Sequence, residues 1–324
     1  MSGAVGWIRR WGISVASFVA GLLTLFVFRR GLPNVGWIVG YLLLLWLLFA
    51  LLTQLRGALE SRARFVVLAA DYTIQSLYHG LLLFVLPAYY ASATLGSRNV
   101  FFVVVLAVLT LLATFDPVYQ VVVHPRPWLS YLFFMVAIFA ALNVALALVG
   151  LTPYLALVIS AFAAVVALTP VVRRARQLAW PEALRLTAVF AVGVATLAAL
   201  GRAWIPPAPL VLASAVLAWN EGGVAATEPV TSAIAAEELH QRGLIAYTAV
   251  YAPAGLRQPI EHVWRKDGRT IDVVRLSPVL GGRREGFRTF SRKTGFPTDA
   301  VGRWSIDVMT SSGQLIGRLQ FRVI

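Results

Sequence analysis

The sequence contains no cysteine, and only 13% of its 324 residues are charged. The first absence excludes disulfides and thiolate metal sites. The second argues against a water-soluble fold, because ordinary soluble domains carry about 25% charged residues. Hydrophobic residues make up 59% of the chain, and a fold of this size cannot hide that much apolar surface from water. The composition therefore predicts that a large part of the chain faces lipid.

Several chemical motifs are also missing. The sequence has no phosphate-binding glycine loop, no dinucleotide fingerprint and no His/Glu spacing typical of a metal site. Four histidines are scattered along the chain, at positions 79, 124, 240 and 262. We therefore expect no cofactor and no metal ion.

Acidic residues are scarce, with 14 Asp and Glu against 28 Lys and Arg, which gives a formal net charge of +14. A basic chain is typical of nucleic-acid binding. Here, however, the arginines flank apolar runs, where positive charge fixes membrane orientation and meets anionic lipid. Aromatic residues do not alternate with basic ones as in a nucleic-acid groove. The expected partner is the lipid bilayer and not a nucleic acid.

The first two-thirds of the chain contains apolar runs of membrane length. A spanning helix needs about 20 mostly apolar residues. We predict an α-helical transmembrane bundle of about seven spans, and we interpret the first as an uncleaved anchor. The predicted spans are residues 11–28, 36–55, 65–86, 100–115, 129–150, 154–172 and 183–203.

Orientation follows from the arginines between the spans. Nine fall on the side of the N-terminus and four on the other side, which favours an N-terminus inside the cell. Seven spans then place the C-terminal part outside. Residues 205–219 are apolar but number only about 15, which is marginal for a span. We interpret them as an interfacial or partly inserted segment. An eighth span there would place the C-terminal part in the cytoplasm.

The third predicted span carries four polar residues on one helical face, because their spacing is close to i, i+4 and i+7 or i+8. They are Asp71, Gln75, Tyr78 and His79. Ionisable groups at membrane depth usually face the bundle interior or a cavity. Two interpretations stay open: a proton relay or polar-substrate site, and hydrogen bonding between helices with Asp71 paired or solvated.

After Gly243 the pattern changes to alternating apolar and polar residues, as in Trp304, Ile306 and Val308. This period of two predicts strands with one buried face. The predicted strands are 245–251, 259–266, 271–276, 286–293, 302–310 and 314–323, with one more near Val279. Asp267-Gly268 and Ser312-Gly313 predict hairpin turns. We expect an all-β immunoglobulin-like sandwich, packed around Trp264, Phe287 or Phe290, and Trp304.

Motifs in this region carry a family resemblance. They are Val250-Tyr251-Ala252-Pro253, His262-x-Trp264, Gly281-Gly282-Arg283, Gly286-x-Arg288, Ser291-x-Lys293 and Gly302-x-Trp304. They resemble a C-terminal module of unknown function found behind multi-span inner-membrane regions of Gram-negative bacteria. The resemblance covers the last 80 residues well and the membrane part loosely. It implies the architecture and an inner-membrane location, but no activity.

Three interpretations of the motif residues stay open. In the first, Arg283, Arg284, Arg288, Arg292 and Lys293 form a cationic patch for an anionic glycan, phosphate or headgroup, and His262, Trp264 and Ser291 are further candidate ligand residues. In the second, Ser291 is a nucleophile with Lys293 or His262 as its base. In the third, His262 and Trp264 are core residues, and the basic residues are solvated or pair with Asp272, Glu285 and Asp307.

The sequence thus predicts a helical membrane domain (1–220), a linker (221–242) and a β-sandwich domain (243–324). The leading hypothesis is a non-enzymatic inner-membrane protein with a periplasmic β module, acting as an accessory or scaffold subunit. Its expected partner is another membrane protein complex or an anionic envelope polymer. The alternative hypothesis is a transporter or membrane-embedded enzyme that uses the polar face of the third span.

Overall fold

The computed structural model describes residues 35–62, 64–123, 125–219, 221–222, 225–226 and 233–324. The chain forms two compact units. The helical unit comprises the described residues up to Ala88, Phe102–Leu146 and Leu155–Gly201; the β unit comprises Tyr89–Phe101, Ala147–Tyr154 and Arg202–Ile324. The predicted first span, and its interpretation as an uncleaved anchor, lie outside the described residues.

The membrane part of the prediction is observed as helices. In chain order they are α1 (Val35–Arg62), α2 (Arg64–Ala91), α3 (Val100–Thr114), α4 (Asp116–Val122), α5 (Pro127–Leu148), α6 (Pro153–Val166), α7 (Thr169–Arg176) and α8 (Trp180–Leu200). Helix α8 begins at Trp180, and Pro181 lies in its first turn. Proline suits a first turn because it lacks the N–H that would stay unpaired there, and the Glu182 carboxylate accepts a hydrogen bond from the Ala179 N–H at 3.2 Å.

Four helical stretches of the described chain are long and apolar enough to cross a membrane. They are Ile38–Leu55, Pro127–Leu148, Pro153–Arg176 and Trp180–Leu200. The apolar helix Val100–Thr114 is shorter. The third predicted span lies in α2 but is not among the four, because its polar residues lower its hydropathy. A total of seven spans therefore stays a prediction.

Large apolar side chains on these helices are exposed, which is the reverse of a soluble fold. On α8, Val189 is 71% exposed, Phe190 63% and Leu197 69%. In water each such side chain would forgo about 1.5–3 kcal/mol of burial free energy. An exposed apolar surface of this kind indicates association with a membrane.

The β unit contains twelve described strands and a short helix, α9 (Ala236–Arg242). The strands are β1 (Val211–Ala218), β2 (Glu221–Gly222), β3 (Ala225–Ala226), β4 (Ala233–Ile234), β5 (Leu244–Tyr251), β6 (Arg257–Gln258), β7 (Ile260–Lys266), β8 (Arg269–Arg275), β9 (Val279–Leu280), β10 (Phe287–Lys293), β11 (Gly302–Thr310) and β12 (Leu315–Val323). A three-stranded sheet has the order β1-β5-β10, and a five-stranded sheet has the order β4-β12-β11-β7-β8. Buried residues of both sheets form one core.

The six predicted strands are confirmed, with ends shifted by at most two residues. The predicted hairpin turn between β7 and β8 is also confirmed. Asp267 has φ 46° and Gly268 has φ 81°, and two consecutive positive φ angles are typical of a type I′ two-residue hairpin. Local sequence signals therefore determine this part of the fold well.

Residues 205–219 do not form a membrane-inserted or spanning helix, so that part of the interpretation is wrong. Val211–Ala218 is strand β1, which pairs antiparallel with β5 from Val211↔Tyr251 to Ala218↔Ile245. The change between the compact units falls at Gly201–Arg202. An apolar run of eight residues fits a core strand as well as a piece of buried helix, and periodicity does not distinguish them.

Two tryptophans dominate the core of the β unit, as the sequence predicts. Trp264 is 0% exposed and Trp304 is 1% exposed. Of the two candidate phenylalanines, Phe287 packs against this core, whereas Phe290 is exposed. Phe296, which the strand pattern does not reveal, makes edge contacts with both tryptophan rings at 6.1 and 5.3 Å.

Candidate functional site

A hydrogen-bond network lies inside the β unit and joins its two sheets. On β7, His262 Nδ1 lies 2.8 Å from the Ser291 hydroxyl oxygen and Nε2 lies 3.0 Å from the Thr248 hydroxyl oxygen. The Trp264 indole N–H donates to the same Ser291 oxygen at 3.2 Å. Thr248 and Ser291 belong to β5 and β10 of the three-stranded sheet, so this buried network connects it to the five-stranded sheet.

Burial fixes the charge state of His262. Removal from water lowers the pKa of the imidazole from 6.5 to about 4, since a charged ring is disfavoured in an apolar interior. The Ser291 and Thr248 hydroxyl groups can each donate or accept, so a neutral imidazole satisfies both contacts in either tautomer. A neutral ring completes the network without an added proton.

Lys293 is also buried, at the end of β10. Its ammonium group forms an ion pair with Asp272 at 2.9 Å and lies 5.6 Å from the Phe296 ring centre. The hydrogen bond from Lys293 lowers the pKa of Asp272. The Lys293 ammonium group is therefore paired with Asp272, whose side chain is 44% exposed, and this pairing is one of the three interpretations of the sequence.

The exposed part of the predicted site is a loop. We call residues 283–288 the arginine loop; they line a cavity of about 660 Å³. Arg288 pairs with Glu285 at 3.1 Å, and the Arg283 guanidinium lies 5.2 Å from the Phe287 ring centre. The cavity has a net positive charge and is accessible from solvent.

Two glycines before the loop determine its path. The Gly281 N–H donates to Leu256 O at 2.9 Å and the Gly282 N–H to Ala252 O at 3.0 Å. A β-carbon on Gly281 would lie 1.7 Å from Pro253 O, and Gly282 has φ 97°. Only glycine fits both positions without moving the backbone.

The six predicted ligand residues are thus divided between two places. His262, Trp264, Ser291 and Lys293 point into the interior, and Arg283 and Arg288 lie on the arginine loop. Ser291 is only 2% exposed, and its hydroxyl oxygen is within hydrogen-bond distance of His262 and Trp264. Thr248, the fourth member of the network, has no signal in the sequence, because nearly every residue of β5 is buried and alternation is lost.

The polar face of the third predicted span is observed on α2. Gln75, Tyr78 and His79 are buried, while Asp71 is half-buried. Gln75 Nε2 donates to Ala113 O at 3.1 Å, and the Thr114 hydroxyl lies 2.9 Å from His79 Nδ1. Both contacts join α2 to α3. The Tyr78 ring packs against that of Phe133 on α5, with ring centres 5.9 Å apart.

Within the described ranges, no group of three or more His, Cys, Asp or Glu side chains is arranged to hold a metal ion. The histidines that are described have separate environments. His262 is in the core, His79 is on α2, and His240 on α9 is hydrogen-bonded to Ala236 O and Pro297 O.

Apolar helices of membrane length followed by a β-rich unit define the class of this protein. The chain belongs to the Family of unknown function (DUF5924), which matches residues 4–246. Residues 257–323 match a second family, Protein of unknown function (DUF2914). The resemblance of the C-terminal motifs to a family of unknown function is thereby confirmed. No curated protein and no solved structure matches the chain.

The two family matches do not coincide with the two compact units. The first match ends at residue 246, inside β5, and includes β1, α9 and the helices. The second begins at residue 257 and includes all strands from β6 to β12. The three-stranded sheet is therefore assembled from segments of both families.

Proposed function

We propose that this chain is a multi-span inner-membrane protein that displays an immunoglobulin-like interaction module in the periplasm. The module binds an acidic partner, either a subunit of an envelope complex or an anionic polymer, and acts as an accessory or scaffold component rather than as an enzyme. The observation that carries this proposal is the separation of chemistry in the β unit. The groups suited to catalysis are buried, and a cluster of exposed positive charge lies on the arginine loop.

The periplasmic location has its own support. The connections 89–101 and 147–154 belong to the same compact unit as the strands, so we expect all of them on one side of the membrane. Those connections and the residues before β1 carry Arg98 and Arg202, whereas α7 alone carries three arginines. Positive charge favours the cytoplasmic side, which leaves the β unit outside.

The polar face of α2 is assigned to packing in this proposal. Gln75 and His79 both hydrogen-bond residues of α3, as expected for polar groups that hold membrane helices together. A transporter would instead need these side chains to line a water-filled path.

The topology can be tested with single cysteines, because the chain has none of its own. Ser311 is exposed between β11 and β12, and Ala175 is exposed on α7 before the α8 span. In intact cells, a membrane-impermeant maleimide is expected to label Ser311→Cys but to label Ala175→Cys only after lysis. The reverse pattern would place the β unit in the cytoplasm.

The binding surface can be tested by charge reversal in the full-length chain. The triple variant Arg283→Glu, Arg284→Glu and Arg288→Glu is expected to reduce a crosslinked partner complex in native membranes by about tenfold or more. The control is Arg269→Glu with Arg275→Glu, which reverses two exposed charges on β8. Equal yields of the complex from both variants would refute the arginine loop as the contact surface.

A further inference from the structure

A second basic surface lies on the outer face of the five-stranded sheet. We call it the arginine groove. It has a volume of about 1310 Å³, and every residue that lines it belongs to the β unit. Two aspartates, Asp267 and Asp307, oppose a larger set of basic residues that consists of Arg98, Arg265, Arg303, Arg318 and Arg322. The groove therefore carries an excess of positive charge.

Asp307 orients two of these arginines. Its carboxylate accepts hydrogen bonds from Arg318 Nη2 at 2.9 Å and from Arg265 Nε at 3.0 Å, and its side chain is only 4% exposed. Binding to Asp307 raises the pKa of Arg318. One carboxylate between two guanidinium groups leaves a local charge of about +1 and fixes both planes. Such a rigid arrangement is prepared for an external anion.

Arg303 and Arg322 form the open part of the groove. They lie directly opposite each other on β11 and β12, and both are exposed. Like charges in directly opposite positions destabilise a sheet. Among the described residues, neither guanidinium group has an ion-pair partner. This arrangement costs stability in the free protein and is offset when an anion binds between the two side chains.

One residue that lines the arginine groove lies close in sequence to a membrane span. Ala203 lines the groove three residues after the end of α8, and three residues span at most about 11 Å. Beside it, the Trp204 ring centre lies 5.9 Å from the Arg98 guanidinium. An arginine next to a tryptophan is typical of the headgroup layer of a bilayer. The anion within reach of this position is the phosphate of a lipid.

We propose that the arginine groove binds the phosphate of an anionic phospholipid headgroup. The paired arginines of β11 and β12 contact the phosphate oxygens, and the arginines held by Asp307 fix its orientation. This proposal rests on the membrane location in the proposed function but is independent of the arginine loop. It gives the β unit a second, separate ligand.

The test uses the full-length protein in detergent. The probe is dihexanoyl phosphatidylglycerol, compared with dihexanoyl phosphatidylcholine and with inorganic phosphate, and the readout is the unfolding temperature against probe concentration. The groove variants are Arg303→Gln with Arg322→Gln and, on a separate segment, Arg98→Gln. The control is Arg269→Gln with Arg275→Gln, the same charge change on β8 of the same sheet.

Phosphatidylglycerol is expected to raise the unfolding temperature saturably, and the Arg303/Arg322 variant is expected to weaken its apparent affinity by about tenfold or more. The control keeps the wild-type affinity, and added salt weakens binding. Should the double variant lose its circular dichroism spectrum, Arg98→Gln decides the question.

Three results would overturn the proposal. The first is unchanged affinity in folded groove variants, and the second is equal affinity for phosphatidylcholine. The third is inorganic phosphate that binds as tightly as the lipid and is lost in the same variants, which would identify a soluble phosphate ligand. A failure here leaves the arginine-loop result unaffected, because the groove variants and the arginine-loop variants share no residue.

Discussion

A fragment of residues 243–324 is expected to be unfolded in solution, whereas a fragment of residues 202–324 is expected to fold. The shorter fragment lacks β1, β4 and α9. These elements and the residues next to them contribute Leu210, Leu217, Ile234 and Leu239 to the core, each at most 7% exposed.

The burial free energy that the shorter fragment loses is comparable with the stability of a whole domain. Burial of each large aliphatic side chain contributes about 1.5–3 kcal/mol, so four of them contribute about 6–12 kcal/mol. A whole domain is stable by only about 5–15 kcal/mol. In the shorter fragment, β5 also loses its antiparallel pairing with β1, which extends along the whole length of β1. Both losses act in the same direction.

Far-UV circular dichroism and amide chemical-shift dispersion distinguish a folded from an unfolded fragment. Both fragments lack residues 89–101, and with them the hydrogen bond from Asn99 Nδ2 to Leu315 O at 3.2 Å, so that loss is matched. A cooperative unfolding transition of the shorter fragment at the same denaturant midpoint would show that β1 and α9 do not hold the core together.

The second large effect is a fall in the stability of the β unit when the pH is lowered from about 6.5 to about 4. His262 has a folded-state pKa of about 4, against 6.5 in its usual environment. Between these values the unfolded chain binds more protons than the folded one, so the free energy of unfolding decreases as the pH decreases. The difference between the two pKa values of His262 corresponds to a loss of about 3 kcal/mol in the free energy of unfolding.

His262→Gln separates this effect from other titrations. Glutamine keeps a donor and an acceptor but does not titrate, so the variant is expected to lose about 1–2 kcal/mol at pH 7 and to show a flatter pH profile. The control is His240→Gln, which changes an exposed histidine of the same unit. Urea unfolding of residues 202–324 at pH 7, 6, 5 and 4 measures both. A wild-type slope in His262→Gln would mean that another group titrates in this range.

These two predictions depend on different kinds of information. The histidine and its neighbours on β7 are placed on the inner face by alternation alone, since Ile260, His262 and Trp264 share one side of a strand. Their hydrogen-bond partners are not local. Thr248 and Ser291 lie 14 and 29 residues away, and strand patterning does not specify which strands of two sheets face each other.

For the charged residues too, the sequence pattern predicts the strand but not the partner of each side chain. The sequence predicts Arg288, Ser291 and Lys293 on one strand, and β10 is that strand. It does not show that Lys293 turns inward to Asp272 while Arg288 stays exposed beside Glu285. Asp307 was a candidate partner for the arginines, but its position between Arg265 and Arg318 depends on the order of β7, β11 and β12 in the sheet.

What the sequence determined by itself is local. Apolar runs of membrane length, alternation of period two, a proline at a helix start and an Asp-Gly turn each specify their own segment, because side-chain periodicity and backbone restrictions act over a few residues. The tertiary structure decided whether residues 211–218 are a strand, which polar groups are buried and which arginines share a groove. Those outcomes depend on contacts between segments that are far apart in the chain. Such contacts stabilise the fold only when both segments are buried against each other.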